Sequence, residues 1–133
     1  MNEELALVMV ALVVPDYDDA ISYYCGTLGF KLIENSVLSP EKRWVVVSPG
    51  SGASLLLAKA NGDEQAAAIG RHAGGRVGLF LHTSDFAGTF ARYRANGVTF
   101  LEEPRDELYG RVVVFADKYG NKWDLIELRE MVQ

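Results

Sequence analysis

Asp124 stands in DKYGNKWDLIEL as one acid in an alternating run of large apolar residues. In such a setting a carboxylate serves as a metal ligand, a base or a polar anchor for a bound molecule. Arg76 opens RVGLFLHT and offers a permanent cation to an anionic or carbonyl group; in a purely structural reading, an Arg76–Asp124 pair is a salt bridge filling a cavity. His82 ends the same run, where histidine more often serves loop or capping geometry than ligation, and His72 lies in a Gly-rich connection. Cys25 is the only cysteine. No intrachain disulfide, thiolate zinc site or paired-cysteine redox motif can therefore be built, and its place in ISYYCGTLGF reads as a structural thiol. PGSGA lacks the lysine and following helix of a phosphate loop and reads as a hairpin turn.

The elements that must position these residues come in two similar sets. Leu5 to Val14 is an apolar, Val-rich run ended by Pro15, which predicts a buried strand. Asp16 then suits an N-cap, with Ala20, Ile21, Tyr24 and Leu28 at helical spacing and Gly29 as the stop. Strands near Phe30–Asn35, Arg43–Ser48 and Ser54–Lys59 follow. From Arg76 the order returns: a strand, a helix from Ser84 or Asp85 to Gly97, a strand in VTFLEE, and two strands around DKYGN. Residues match in pairs: Arg43 with Arg111, Val45 and Val46 with Val113 and Val114, Gly52 with Gly120, Leu57 with Leu125. In the first strand and helix the match sets Leu12 on Leu79, Asp18 on Asp85 and Ala20 on Ala87, with a one-residue change of register in the helix-to-strand turn. The connection over about residues 61–75 holds a short helix at DEQAAAI, and reads as a plain link or a mobile lid.

Two βαβββ modules, with LVVPDYDDAISYYCGTLGF near the start and FADKYGNKWDLIEL near the end, resemble the vicinal oxygen chelate superfamily, which holds glyoxalases, bleomycin resistance proteins and extradiol dioxygenases. The resemblance covers essentially the whole chain. It implies an α+β fold in which two tandem βαβββ modules (about 5–60 and 76–130) form one cup-shaped, glyoxalase-like domain, and a homodimer. It also implies metal ligands, His or Glu, on the first and last strand of each module. Counting along the chain puts those four positions at Met9, Leu56, Arg76 and Asp124, of which only Asp124 suits a divalent metal. Strand alternation would turn Asp124, Ile126 and Leu128 inward, with Arg76, Gly78, Phe80 and His82 on their own strand, and turn Glu127 away. Tyr109 would line the entrance; Trp44, Phe80 and Phe115 are candidate aromatic walls, though an aromatic strand residue more often serves core packing.

Composition narrows the function further. Thirteen basic residues among eighteen acidic ones, net charge −5, leave no basic stripe for nucleic acid or an anionic membrane. The acidic start and an apolar run half the length of a span argue against a secretory signal or membrane helix, and so for the cytoplasm. The expectation is a protein that binds a small organic molecule, anionic or carbonyl-bearing, in an apolar cup, with no metal and no cofactor. Arg76, Asp124, Met9, Leu56, Phe80 and Tyr109 are its expected contacts. The alternative is a metal-dependent lyase or extradiol-type dioxygenase of the same superfamily, using Asp124 and His82.

Overall fold

The computed structural model describes residues 3–129. Its elements are β1 (Met9–Val14), α1 (Tyr17–Ile21) with a π-helical continuation (Ser22–Thr27), β2 (Lys31–Ser39), β3 (Lys42–Ser48), β4 (Ser54–Lys59), α2 (Asp63–Ala67), β5 (Val77–His82), α3 (Phe86–Ala95), β6 (Thr99–Phe100), β7 (Arg105–Glu107), β8 (Gly110–Ala116) and β9 (Lys122–Leu128). The chain divides into two compact units at Ala66/Ala67. The first unit's sheet has the order β1-β4-β3-β2, and the second β5-β9-β8-β6 with β7 also paired to β8. In each unit the first strand lies parallel to the last, and the remaining pairs are antiparallel. This is the α+β, twice-βαβββ architecture of a glyoxalase-like fold.

Local chemistry sets the helix ends. The Asp16 carboxylate accepts from the Asp19 amide at 2.8 Å, and Asp85 accepts from Gly88 at 3.1 Å, each satisfying an otherwise unpaired donor of a first turn. Gly29 and Gly97 end the helical segments at φ +79° and +84°, where a side chain would be strained. The buried stripe of the first helical segment is Tyr17, Ala20, Tyr24 and Leu28; that of α3 is Phe86, Thr89 and Tyr93. They meet sheet faces built from Val45, Val47, Leu55 and Leu57 in one unit, and from Val113, Phe115, Trp123 and Leu125 in the other.

The ladders correct three expectations. First, β1 begins at Met9: beyond the Val8 carbonyl, which accepts from Ser54, strand β4 offers no further partner, and Leu5, Leu7 and Val8 are 87%, 75% and 65% exposed. Second, the modules match differently in their first strand and helix. Leu12 pairs with Leu57 as Leu81 pairs with Leu125, and the two caps are Asp16 and Asp85, so Leu12 corresponds to Leu81 and Asp16 to Asp85. The reason is two single-residue insertions. One is a bulge at Gly78, where Val77 faces Lys122 but Leu79 already faces Trp123. The other is the π turn, which makes the path from Tyr24 to Gly29 one residue longer than that from Tyr93 to Gly97. Third, β7 was not expected, and it builds part of the site.

The connection is pinned within the second unit. The His72 amide donates to Asn121 Oδ1 at 3.1 Å, and Gly70 lies so close to the Tyr119 carbonyl that a Cβ would sit 1.9 Å from its oxygen. Asp117 organises the turn it rests on: its carboxylate accepts from the Tyr119 and Asn121 amides, the Asn121 side chain and Trp123 Nε1.

Candidate functional site

Side chains opposite one another across a ladder share a sheet face. Asp124 faces Phe80 on β5 and Val114 on β8; Ile126 faces His82 and Val112; Val112 in turn faces Arg105 on β7. One face of the second sheet therefore carries Asp124, Phe80, His82 and Arg105 together. The opposite face, with Trp123 stacked on Phe115 at 5.7 Å, is core. Phe115, a candidate wall, is thus completely buried core, whereas Phe80 is 65% exposed on the Asp124 face.

Asp124 is the unusual member. It is only 7% exposed, and its Oδ1 is buried without a hydrogen-bond partner. Burial pushes its carboxyl above the ordinary 3.8; the Arg105 charge opposes this and Glu102 reinforces it. Arg105 is held from two sides: Nε donates to Glu102 at 3.0 Å and Nη1 to Glu107, and Tyr109 further favours its charged form. These bonds hold the guanidinium in its charged form. Glu102 has a second task. Its Oε2 accepts the Val114 amide at 3.0 Å, filling the place of a ladder partner where the chain turns through Glu103 and Pro104 between β6 and β7.

Arg76 does not join this group. It lies exposed just before β5, with Nε directed at the Val77 carbonyl at 3.4 Å, and among the described residues no ion pair links it to Asp124. The register explains the correction: Phe80, four residues further along, is the residue level with Asp124. Arg76 instead borders a recess of about 10 Å³, room for one water, beside His72 and Asn121. A larger recess of about 440 Å³ at Phe90, Arg94, Phe100, Glu102 and Glu103 lies at the α3–β6 edge, and Asp124 is not among its lining residues.

The other expected residues fall as follows. Tyr109, 38% exposed, adjoins Arg105. His82 Nδ1 accepts from the Leu128 amide at 3.4 Å, and Glu127 turns away to take the Phe86 amide at 2.8 Å. In the first unit Met9 faces Ser54, while Leu56 faces Ala11 and Val46, a largely apolar surface. Arg105 and Glu102 were missed; the signal available was Pro104 followed by a short charged run ahead of GRVVV, which can pair only as an edge strand.

The family's usual metal does not fit these residues. Phe80 and Val114, the ladder partners of Asp124, supply no hard donor, nor do Met9 and Leu56 within the first unit, and among the described residues no three His, Cys, Asp or Glu cluster to hold an ion.

Residues 6–125 match the model of the glyoxalase/bleomycin resistance protein/dioxygenase superfamily. The chain belongs to that superfamily. An uncharacterized protein of Shewanella frigidimarina (strain NCIMB 400) is 49% identical over 128 residues, 94% of this chain and 95% of its own. Among solved structures, UcmS2 superposes with a TM-score of 0.80 at 29% identity, covering 94% of this chain and 99% of its own. TnmS3, described as an antibiotic binding protein from Streptomyces sp. CB03234, gives 0.75 at 27%, covering 97% and 99%.

Proposed function

We propose that this protein binds a small, uncharged, carbonyl-bearing organic molecule without a metal, on the sheet face that carries Asp124 and Phe80. The observation that carries this reading is the orphaned, buried Asp124 oxygen next to a largely exposed aromatic ring. Such a face offers a stacking surface and one polar group in need of a partner. An anionic ligand is disfavoured: Arg105, the one cation with a resolved pull on Asp124, is already matched by Glu102 and Glu107. Arg105 takes the role expected of Arg76, and Tyr109 flanks it. Likeness to an antibiotic binding protein supports a natural product as ligand.

The protein is further proposed to act as a cytoplasmic homodimer. No helix among the described residues is long and apolar enough to cross a membrane, and the exposed Leu5, Leu7 and Val8 are apolar surface that a second copy would cover. Light scattering at several concentrations tests this.

Two titrations test the binding reading. Thermal shift and calorimetry against a panel of carbonyl-bearing natural products should give hits that Phe80→Ala weakens. Nickel, iron and zinc should not bind stoichiometrically; binding abolished by Asp124→Ala would instead support a metal-dependent lyase or dioxygenase.

A further inference from the structure

Asp124 is a buried acid whose neighbours do not account for its charge. Across its ladders it meets the Phe80 ring and Val114, and along its own face Ile126. The charged and titratable groups on this side are Arg105 and Glu107 from β7, Glu102 and Tyr109 from the flanking segments, His82 from β5 and Lys122 from β9. Arg105 is the one cation exerting a resolved pull on Asp124, and two glutamates already occupy its Nε and Nη1. His82 uses Nδ1 as an acceptor for the Leu128 amide. An ionised Asp124 would therefore sit buried, with one oxygen bonded to nothing and facing a cation that Glu102 and Glu107 already hold.

We propose that Asp124 remains a protonated carboxylic acid in the free protein and binds its ligand as a hydrogen-bond donor, to a carbonyl oxygen, with the glutamate-held Arg105 as the second donor of the pair. This rests on the reading that the Asp124–Phe80 face is the binding face, and adds the proton state and the ligand atom recognised. A neutral acid has one O–H to give, and a carbonyl oxygen beside Arg105 can accept from both groups. Ionisation of Asp124 removes that donor and sets a negative charge against the carbonyl dipole. Affinity for a neutral ketone consequently falls as pH rises, by about tenfold per unit once the carboxyl loses its proton.

The experiment has a ligand-free part and a ligand part. Carbon-13 NMR of the aspartate side-chain carboxyls, with Asp124 assigned through Asp124→Asn, should show Asp124 titrating well above the other aspartates. If it titrates with them, the proposal is overturned. The probe is 9-fluorenone, an uncharged aromatic ketone whose carbonyl stretch reports hydrogen bonding in the infrared. Binding to the wild type should weaken as pH rises through the range in which NMR shows Asp124 losing its proton, and should shift the stretch to lower wavenumber. Asp124→Asn, a permanent donor of the same shape, should keep affinity and abolish the pH dependence, whereas Asp124→Leu should lose both affinity and shift. Affinity that is flat or rises with pH, or binding with an unshifted carbonyl, overturns the donor role and leaves the binding face standing. Failure of fluorenone to bind at any pH also overturns it, and the natural-product panel then judges the binding face separately.

Discussion

Phe80 and Asp124 are direct partners across the parallel β5–β9 ladder, one 65% exposed and the other 7%. The aromatic ring lies open at the point where the acid is withdrawn from water. Because Phe80 buries little of its surface within the chain, Phe80→Ala should cost less than about 1 kcal/mol of stability, the range of strand propensity, in urea unfolding. Affinity for any ligand of this face should fall by an order of magnitude or more in calorimetry, separating binding from folding.

Asp124 should make the protein less stable as pH rises. Its carboxyl is raised by burial, so the folded state holds the proton more tightly than the unfolded chain. The stability this gives is fully present below the ordinary value of 3.8 and is lost as pH climbs through the raised value. Asp124→Leu should therefore stabilise the protein at neutral pH by about 1–3 kcal/mol. The gain over wild type should shrink toward pH 4 in denaturant titrations.

Glu102 joins two strands with a side chain. Glu102→Ala leaves the Val114 amide without its acceptor and frees the Arg105 Nε. A loss of about 1–2 kcal/mol is expected. Hydrogen exchange should quicken most at Val114, a local signature that general destabilisation would not give.

Asp117 receives donors from Tyr119, Asn121 and the Trp123 indole while only 5% exposed. Asp117→Ala strands several of them at once, and should cost about 3 kcal/mol or more. Because Asn121 also holds the His72 amide, proteolysis should then begin in the connection near residues 70–75.

Much of the fold was legible because its signals are local. Pro15 and Asp16 mark the exit from β1 and the start of α1, Gly29 and Gly97 mark helix ends, and Asp117 with Gly120 marks the final turn. The site was legible only in part, because its geometry is tertiary. Asp124 and Phe80 could be assigned to strands by pattern, but their pairing depends on a bulge that a glycine such as Gly78 neither requires nor forbids. Counting through that bulge stopped one residue short of β5, at Arg76 instead of Val77, while Phe80 is the residue level with Asp124. Arg105 sits in the charged run EEPRDE, indistinguishable by composition from a solvated loop, and acquires its place only when Glu102 and Glu107 close on it.

The Gly78 bulge also sets a rule for redesign. Below it, Val77 faces Lys122 as Met9 faces Ser54 in the other module, so Val77 and not Arg76 is the counterpart of Met9. An engineer grafting a histidine at the counterpart of Met9 would place it at Val77, level with Lys122, whereas the position directly beside Asp124 is Phe80. The same graft at Arg76, which numbering alone suggests, would put the imidazole in the loop ahead of the strand.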